Sequence, residues 1–146
     1  MPFFLVIGTG EYFLVFYPSL AYNQSMIKIP HIIVETESFL TSASKLWSED
    51  ERDAFKLYIG LNVLDGDLVP GTGGLRKVRW SRAGTGKRGG VRVIYYYYDG
   101  NAPLYLLFAY PKGVKDDLTA GEKEALRAVV EVLKKQCKDA KKRVKP

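Results

Sequence analysis

The sequence predicts an α+β fold in which helices pack on a small antiparallel sheet. Three observations lead there. Two capping-box tetrapeptides, Ser48-Glu49-Asp50-Glu51 and Thr119-Ala120-Gly121-Glu122, each open a stretch with helical apolar spacing. Three runs rich in Val, Ile, Leu and Tyr fall between residues 75 and 110, separated by turn-forming residues. The chain has 146 residues, 47% of them hydrophobic, which suits one domain with a core of its own.

Taken in order, residues 3–22 (FFLVIGTGEYFLVFYPSLAY) are apolar and aromatic. They lack a basic leader, and Glu11 and Pro18 interrupt them, so they make a poor signal peptide and a poor membrane span. Met26 opens MIKIPHIIVETESF, which reads as a natural domain start. Residues 1–25 are therefore expected to be an extension, from a start codon called too far upstream, with the domain over 26–138 and a basic, frayed tail over 139–146.

His31–Glu35, with its Ile and Val, reads as a first strand. Thr36 to Trp47 reads as a helix through Phe39, Leu40, Ala43 and Leu46/Trp47. The capping box at Ser48 starts a second helix to about Leu64, with Phe55, Tyr58/Ile59 and Asn62/Val63 on one face. The short connection makes the two an antiparallel pair. Asp65-Gly66-Asp67 and Pro70-Gly71-Thr72-Gly73-Gly74 are turn and loop chemistry.

Three strands follow. Leu75–Ser81 sets Leu75, Lys77 and Arg79 on one face and Arg76, Val78 and Trp80 on the other. Val91–Tyr98 is the second, and its tyrosines, Tyr95 to Tyr98, should alternate inside and outside. Leu104–Tyr110 is apolar throughout, as a central strand is, and Asp99-Gly100-Asn101 turns the hairpin between them. The last helix carries Leu126, Val129, Val130, Leu133 and Cys137 on one stripe.

Charge is distributed unevenly. Residues 1–74 hold four basic and nine acidic residues; residues 75–146 hold eighteen basic and seven acidic. A basic second half suits a polyanionic partner, or a solvated basic surface. The lone Cys137 suits a reducing cytosol and rules out an internal disulfide. With one Cys and one His no familiar zinc constellation can be built, and His31, set before a short apolar run, is expected to be structural. No cofactor is expected.

Between Arg76 and Arg92 lie seven Lys/Arg and no Asp/Glu. Within this stretch Gly84-Thr85-Gly86-Lys87-Arg88-Gly89 matches G-x-G-x-x-G, but a strand follows it where the dinucleotide fingerprint needs a helix. A Walker A loop fails too, because Arg88 stands where Ser or Thr is required. The alternating cations are more informative. If the three strands are neighbours, Lys77, Arg79, Arg92 and Lys112 can converge on one concave surface, where they would need an anion to offset their repulsion. The same alternation would equally serve a strand whose cations face water.

GTGGLRKVRW, then GTGKRGGVRVIYYY, LYLLFAYPK and DDLT, in that order over about residues 30–137, resemble the RelE/ParE superfamily of toxin–antitoxin toxins, in its HigB-like branch. The resemblance implies a RelE-like fold and a small, metal-independent ribonuclease that cuts mRNA in the ribosomal A site, in the cytoplasm, by attack of a ribose 2′-OH on the adjacent phosphate. It implies that Arg92 binds the scissile phosphate, with Lys77, Arg79 and Lys112 as the other catalytic cations. It implies that Arg76, Lys87, Arg88 and Tyr110 contact RNA, mRNA or ribosomal RNA. Tyr110 could instead be a packed strand tyrosine. RelE-type members place an aromatic hydroxyl where Leu118 falls here, which leaves the proton-transfer role open. The implied partner is an antitoxin that covers the basic surface, of the helix-turn-helix type, with no membrane involved. ParE-type relatives on the same fold inhibit DNA gyrase by binding, and a third reading is an inactive RNA-binding domain.

Overall fold

The computed structural model describes residues 4–8, 11–15, 29–81, 90–113 and 117–144. Seven strands and three helices follow in the order β1 (Phe4–Gly8), β2 (Glu11–Val15), β3 (Ile33–Glu35), α1 (Glu37–Ser44), α2 (Glu49–Leu61), β4 (Asp67–Leu68), β5 (Leu75–Trp80), β6 (Val91–Tyr96), β7 (Leu104–Pro111) and α3 (Ala120–Val144). The strands form one sheet in the order β2-β1-β3-β7-β6-β5-β4. The fold is α+β, as the sequence predicts. The sheet is mixed rather than antiparallel throughout, because β3 runs parallel to both β1 and β7. A parallel partner requires a long crossover, and the chain supplies one through α1, α2 and the meander. β1 and β2 fall within the segment expected to be an extension and add a hairpin beyond β3.

Each helix begins where its sequence signal lies. Thr36 caps α1, its Oγ1 accepting from the Phe39 N–H at 3.3 Å and donating to the Leu106 carbonyl at 2.8 Å. Ser48 and Glu51 satisfy one another's backbone N–H groups at 3.2 and 2.9 Å. Thr119 and Glu122 do the same ahead of α3, at 3.1 and 3.2 Å. α3 continues to Val144, through most of the residues expected to fray, and Lys141 reaches Asp99 at 3.0 Å.

The sheet has a core on both faces. Phe39, Ala43 and Trp47 at one end of the helical hairpin and Phe55 and Ile59 of α2 cover Val78, Val91, Val93, Tyr95, Leu104 and Leu106. On the opposite face Val130 and Leu133 cover Leu75, Ile94, Tyr96, Leu107 and Leu118. Two expectations change as a result. The tyrosine run does not alternate between core and water: Tyr95 and Tyr96 are both buried, one under each helical layer, and Tyr97 and Tyr98 are partly buried against the same two cores. Val129 leaves the predicted stripe, at 41% exposed, since the face seated on the sheet runs through Leu126, Val130, Leu133 and Cys137.

The glycine-rich loop before β5 is structural. Gly71, Gly73 and Gly74 adopt positive φ angles of 78°, 80° and 127°. Between them Thr72 is buried, donating to the Val69 carbonyl at 2.6 Å and accepting from the Leu75 N–H at 3.2 Å. His31 is structural too: its Nε2 meets the Ala102 carbonyl, and its ring lies edge-on to Tyr97 at 5.3 Å.

Tyr95 pins the turn after α2. Its hydroxyl accepts from the Gly66 N–H at 2.9 Å and donates to the Val63 carbonyl at 2.8 Å. A Cβ at Gly66 would come within 2.7 Å of the Tyr95 ring, so the glycine is required for the close approach. Tyr95→Phe leaves one buried donor and one acceptor unmet and should lower stability by ~1–3 kcal/mol, read as an earlier midpoint in urea with an unchanged slope.

Candidate functional site

The register of β5, β6 and β7 builds the site. On the α3 face three cross-strand rows succeed one another: Leu75–Tyr96–Tyr105, Lys77–Ile94–Phe108, and Arg79–Arg92–Tyr110. The first row is apolar and lies under α3, whereas the last carries two guanidinium groups and a phenol. A bulge between Ile94 and Tyr95 leaves Leu107 without an opposite residue and restores the row pattern toward the Arg92 end. In a regular ladder Leu107 would sit opposite Ile94, and Phe108 and Tyr110 would turn to the other face.

Arg92 and Arg79 are directly opposite one another. Like charges in that position oppose folding. Arg92 Nη1 is buried and has no hydrogen bond among the described residues. A desolvated guanidinium nitrogen left this way is costly unless an anion meets it. Arg79 is exposed at the strand's outer end.

Tyr110 is 3% exposed and its ring packs on Phe108 at 6.0 Å, so it is a packed strand tyrosine, with no open face for a base to stack on. Burial pushes its hydroxyl pKa up; the negative charges of Asp117 and Glu122 add to this, and Arg92 opposes it. The group therefore stays a neutral phenol near neutral pH, able to donate a hydrogen bond and unsuited to act as a base.

Lys77 shares the neighbouring row, and its Nζ lies 3.6 Å from Asp117 Oδ1. Lys123, one turn into α3, places its Nζ 3.6 Å from the other oxygen of the same carboxylate. The Asp117 carboxyl is held below the usual range, chiefly by accepting the Leu118 N–H at 2.8 Å and then by the two lysines. Asp117 lies in the DDLT motif but carries no expected role there, and Lys123 does not stand out in the sequence. Lys112 is exposed in the turn just past β7, its backbone N–H bonded to Gly90 at 2.9 Å.

One of the sequence candidates stands apart from this group. Arg76 faces away from Lys77, and its guanidinium donates to the Gly66 carbonyl at 2.7 Å and the Leu64 carbonyl at 3.4 Å, bracing the turn that Tyr95 also holds. Lys87 and Arg88 lie outside the described residues. Leu118, where an aromatic hydroxyl was sought, is buried in the core under α3.

Arg79 and Arg92 thus share a row with Tyr110 at one end of β5 to β7, with Lys77 in the neighbouring row and Lys112 in the turn just past β7. Such an arrangement can hold a phosphodiester: a fork for two oxygens, ammonium groups for charge, and a neutral phenol as donor. Among the described residues no helix is long and apolar enough to cross a membrane. A family model described as the RelE toxin of the RelE / RelB toxin-antitoxin system matches residues 57–145, more than half of the chain. The match takes in β4 to β7 and α3, and so every element that contributes to the site.

Proposed function

The chain belongs to the RelE toxin family of toxin-antitoxin systems, and from that membership and the geometry of the Arg92 row we propose that it is a ribosome-dependent mRNA endonuclease of the HigB-like type. As a member of this toxin family it has an antitoxin for a partner. In the proposed reaction a ribose 2′-OH loses its proton and attacks the adjacent phosphorus. The 2′-O–P bond forms, the P–O5′ bond breaks, and the leaving oxygen takes up a proton. The products are a 2′,3′-cyclic phosphate and a 5′-OH.

In this reading Arg92 grips two non-bridging oxygens as charge builds on them, and Tyr110 donates to the same group. Arg79, Lys77 and Lys112 supply further positive charge and hold the neighbouring phosphates. Lys87 and Arg88 would grip the RNA backbone, while Arg76, whose Nη1 is bonded to the Gly66 and Leu64 carbonyls, is left out of this reading. The need for a 2′-OH selects RNA over DNA. Catalysis rests on positioning and charge, and the ribosome completes the orientation of the mRNA. The toxin then acts in the cytoplasm, and its antitoxin, of the helix-turn-helix type, presents acidic residues to the basic face.

The observation that carries this reading is the buried Arg92 nitrogen, without a hydrogen bond among the described residues and directly opposite Arg79. The test incubates the purified full chain with a capped mRNA, with and without translating ribosomes, and maps the new ends. Cuts only with ribosomes, ending in 2′,3′-cyclic phosphate, are the expected result. Cuts at the same sites on free mRNA would contradict ribosome dependence.

A further inference from the structure

Three groups from three elements meet at the border of the Arg92 row. Lys77 comes from β5, Lys123 from α3, and Asp117 from the segment between β7 and α3. The lysine side chains are 27% and 29% exposed, and the Asp117 side chain is 53% exposed. The cluster is therefore open to a ligand. At 3.6 Å each, the two ion pairs are longer than hydrogen bonds, and pairs of this exposure add little to stability. Their geometric effect is larger. Two ammonium groups on separate elements would repel one another, and the carboxylate between them keeps both at one place. That place adjoins Tyr110, whose hydroxyl responds to the charge of Asp117.

We propose that Lys123 is a further RNA-phosphate contact of this site and that Asp117 is the positioning residue that holds Lys77 and Lys123 together for it. The proposal rests on the nuclease reading for its substrate. A ribose-phosphate strand lying over Arg92 meets Lys77 and Lys123 beside it, and its phosphate replaces part of the charge that Asp117 supplies in the free protein. Asp117 is not the base. Its carboxyl is held below the usual range, so it takes up a proton poorly at neutral pH.

The arrangement gives Asp117 an unusual sign. Its negative charge works against binding a polyanion, while its hold on the two lysines favours cleavage. Asp117→Asn keeps the acceptor for the Leu118 N–H and removes only the charge, so the fold should be retained. In anisotropy titrations with a fluorescein-labelled single-stranded RNA, this variant should bind several-fold tighter than the parent, yet on programmed ribosomes its kcat should fall several-fold. Asp117→Glu should restore part of kcat. Lys123→Gln should weaken RNA binding and reduce the slope of log affinity against log salt by about 0.7, the loss of one phosphate contact.

An unchanged salt slope in Lys123→Gln would overturn the phosphate contact. Parent kcat, or weaker RNA binding, in Asp117→Asn would overturn the positioning role. Failure of the nuclease reading is distinguishable, since the parent would then cut no mRNA on ribosomes while the salt slopes still report on Lys123. Melting temperatures equal to the parent's are expected for all three variants.

Discussion

Arg92→Ala is expected to lose cleavage by a factor on the order of 10²–10³ while keeping the fold, the loss seen when one oxyanion donor is removed from an active site. Arg92 Nη1 is buried without a hydrogen bond among the described residues, and Arg79 is its direct cross-strand neighbour. Deleting the guanidinium relieves a like-charge contact and a desolvated donor, so the melting temperature should hold or rise slightly. Arg92→Lys separates charge from geometry. It retains one positive charge but not the two-pronged donor, and should recover only part of the rate. Single-turnover cleavage on programmed ribosomes, run beside thermal melts, makes the comparison. Parent-level cleavage by the alanine variant, or its unfolding, would remove Arg92 from the proposed role.

The largest stability effect should come from the other face of the sheet. Glu35 ends β3 at 7% exposed, with Arg52 Nε 3.4 Å from one carboxylate oxygen and Lys56 Nζ 3.4 Å from the other. Lys56 also lies 2.9 Å from Asp53 on its own helix. This small network fastens α2 to the sheet. Glu35→Ala strips the buried Lys56 of one carboxylate and should cost about 3 kcal/mol, the lower end for breaking a buried pair, because Asp53 remains. For a domain of this size that is a fall of about 10 °C in melting temperature. The paired replacement Glu35→Leu with Lys56→Met should recover part of the loss, since it removes the buried Lys56 charge together with that of Glu35, while Arg52 and Asp53, which lose their partners, keep access to solvent. Cleavage per folded molecule should be unchanged in both, because Glu35 lies in a row with Leu106 and Tyr95, on the face away from Arg92. A melting temperature equal to the parent's in Glu35→Ala would show that the network contributes nothing.

Much of this architecture was legible in the residues, and what was not has a physical cause. Ser48 and Thr119 announce their helices because capping is local chemistry. The two faces of β5 were equally legible, since alternation places Lys77 and Arg79 together whatever the neighbours are. What alternation cannot supply is the covering of both faces. Tyr95 and Tyr96 look like an inside–outside pair until α3 closes the second face and buries both. Nor can it supply register. Tyr110 joins Arg92 only because the bulge at Leu107 shifts β7 by one residue, and bulges depend on the partner strand. The parallel placement of β3 beside β7 rests likewise on a crossover spanning most of the domain. Arg76 shows a further limit: composition groups it with its basic neighbours, while the bonds to Gly66 and Leu64 give it another task. The meeting of Asp117 and Lys123 with Lys77 was not legible, because it joins three separate elements of the fold.

The most direct test of the central claim is primer extension on cellular mRNA after induced expression of the full chain and of its Arg92→Ala variant. The proposed function predicts growth arrest with new 5′ ends inside translated frames, absent from the variant at equal protein level. Growth arrest with intact mRNA would contradict it and would indicate an inhibitor that acts by binding, as the gyrase-directed relatives do.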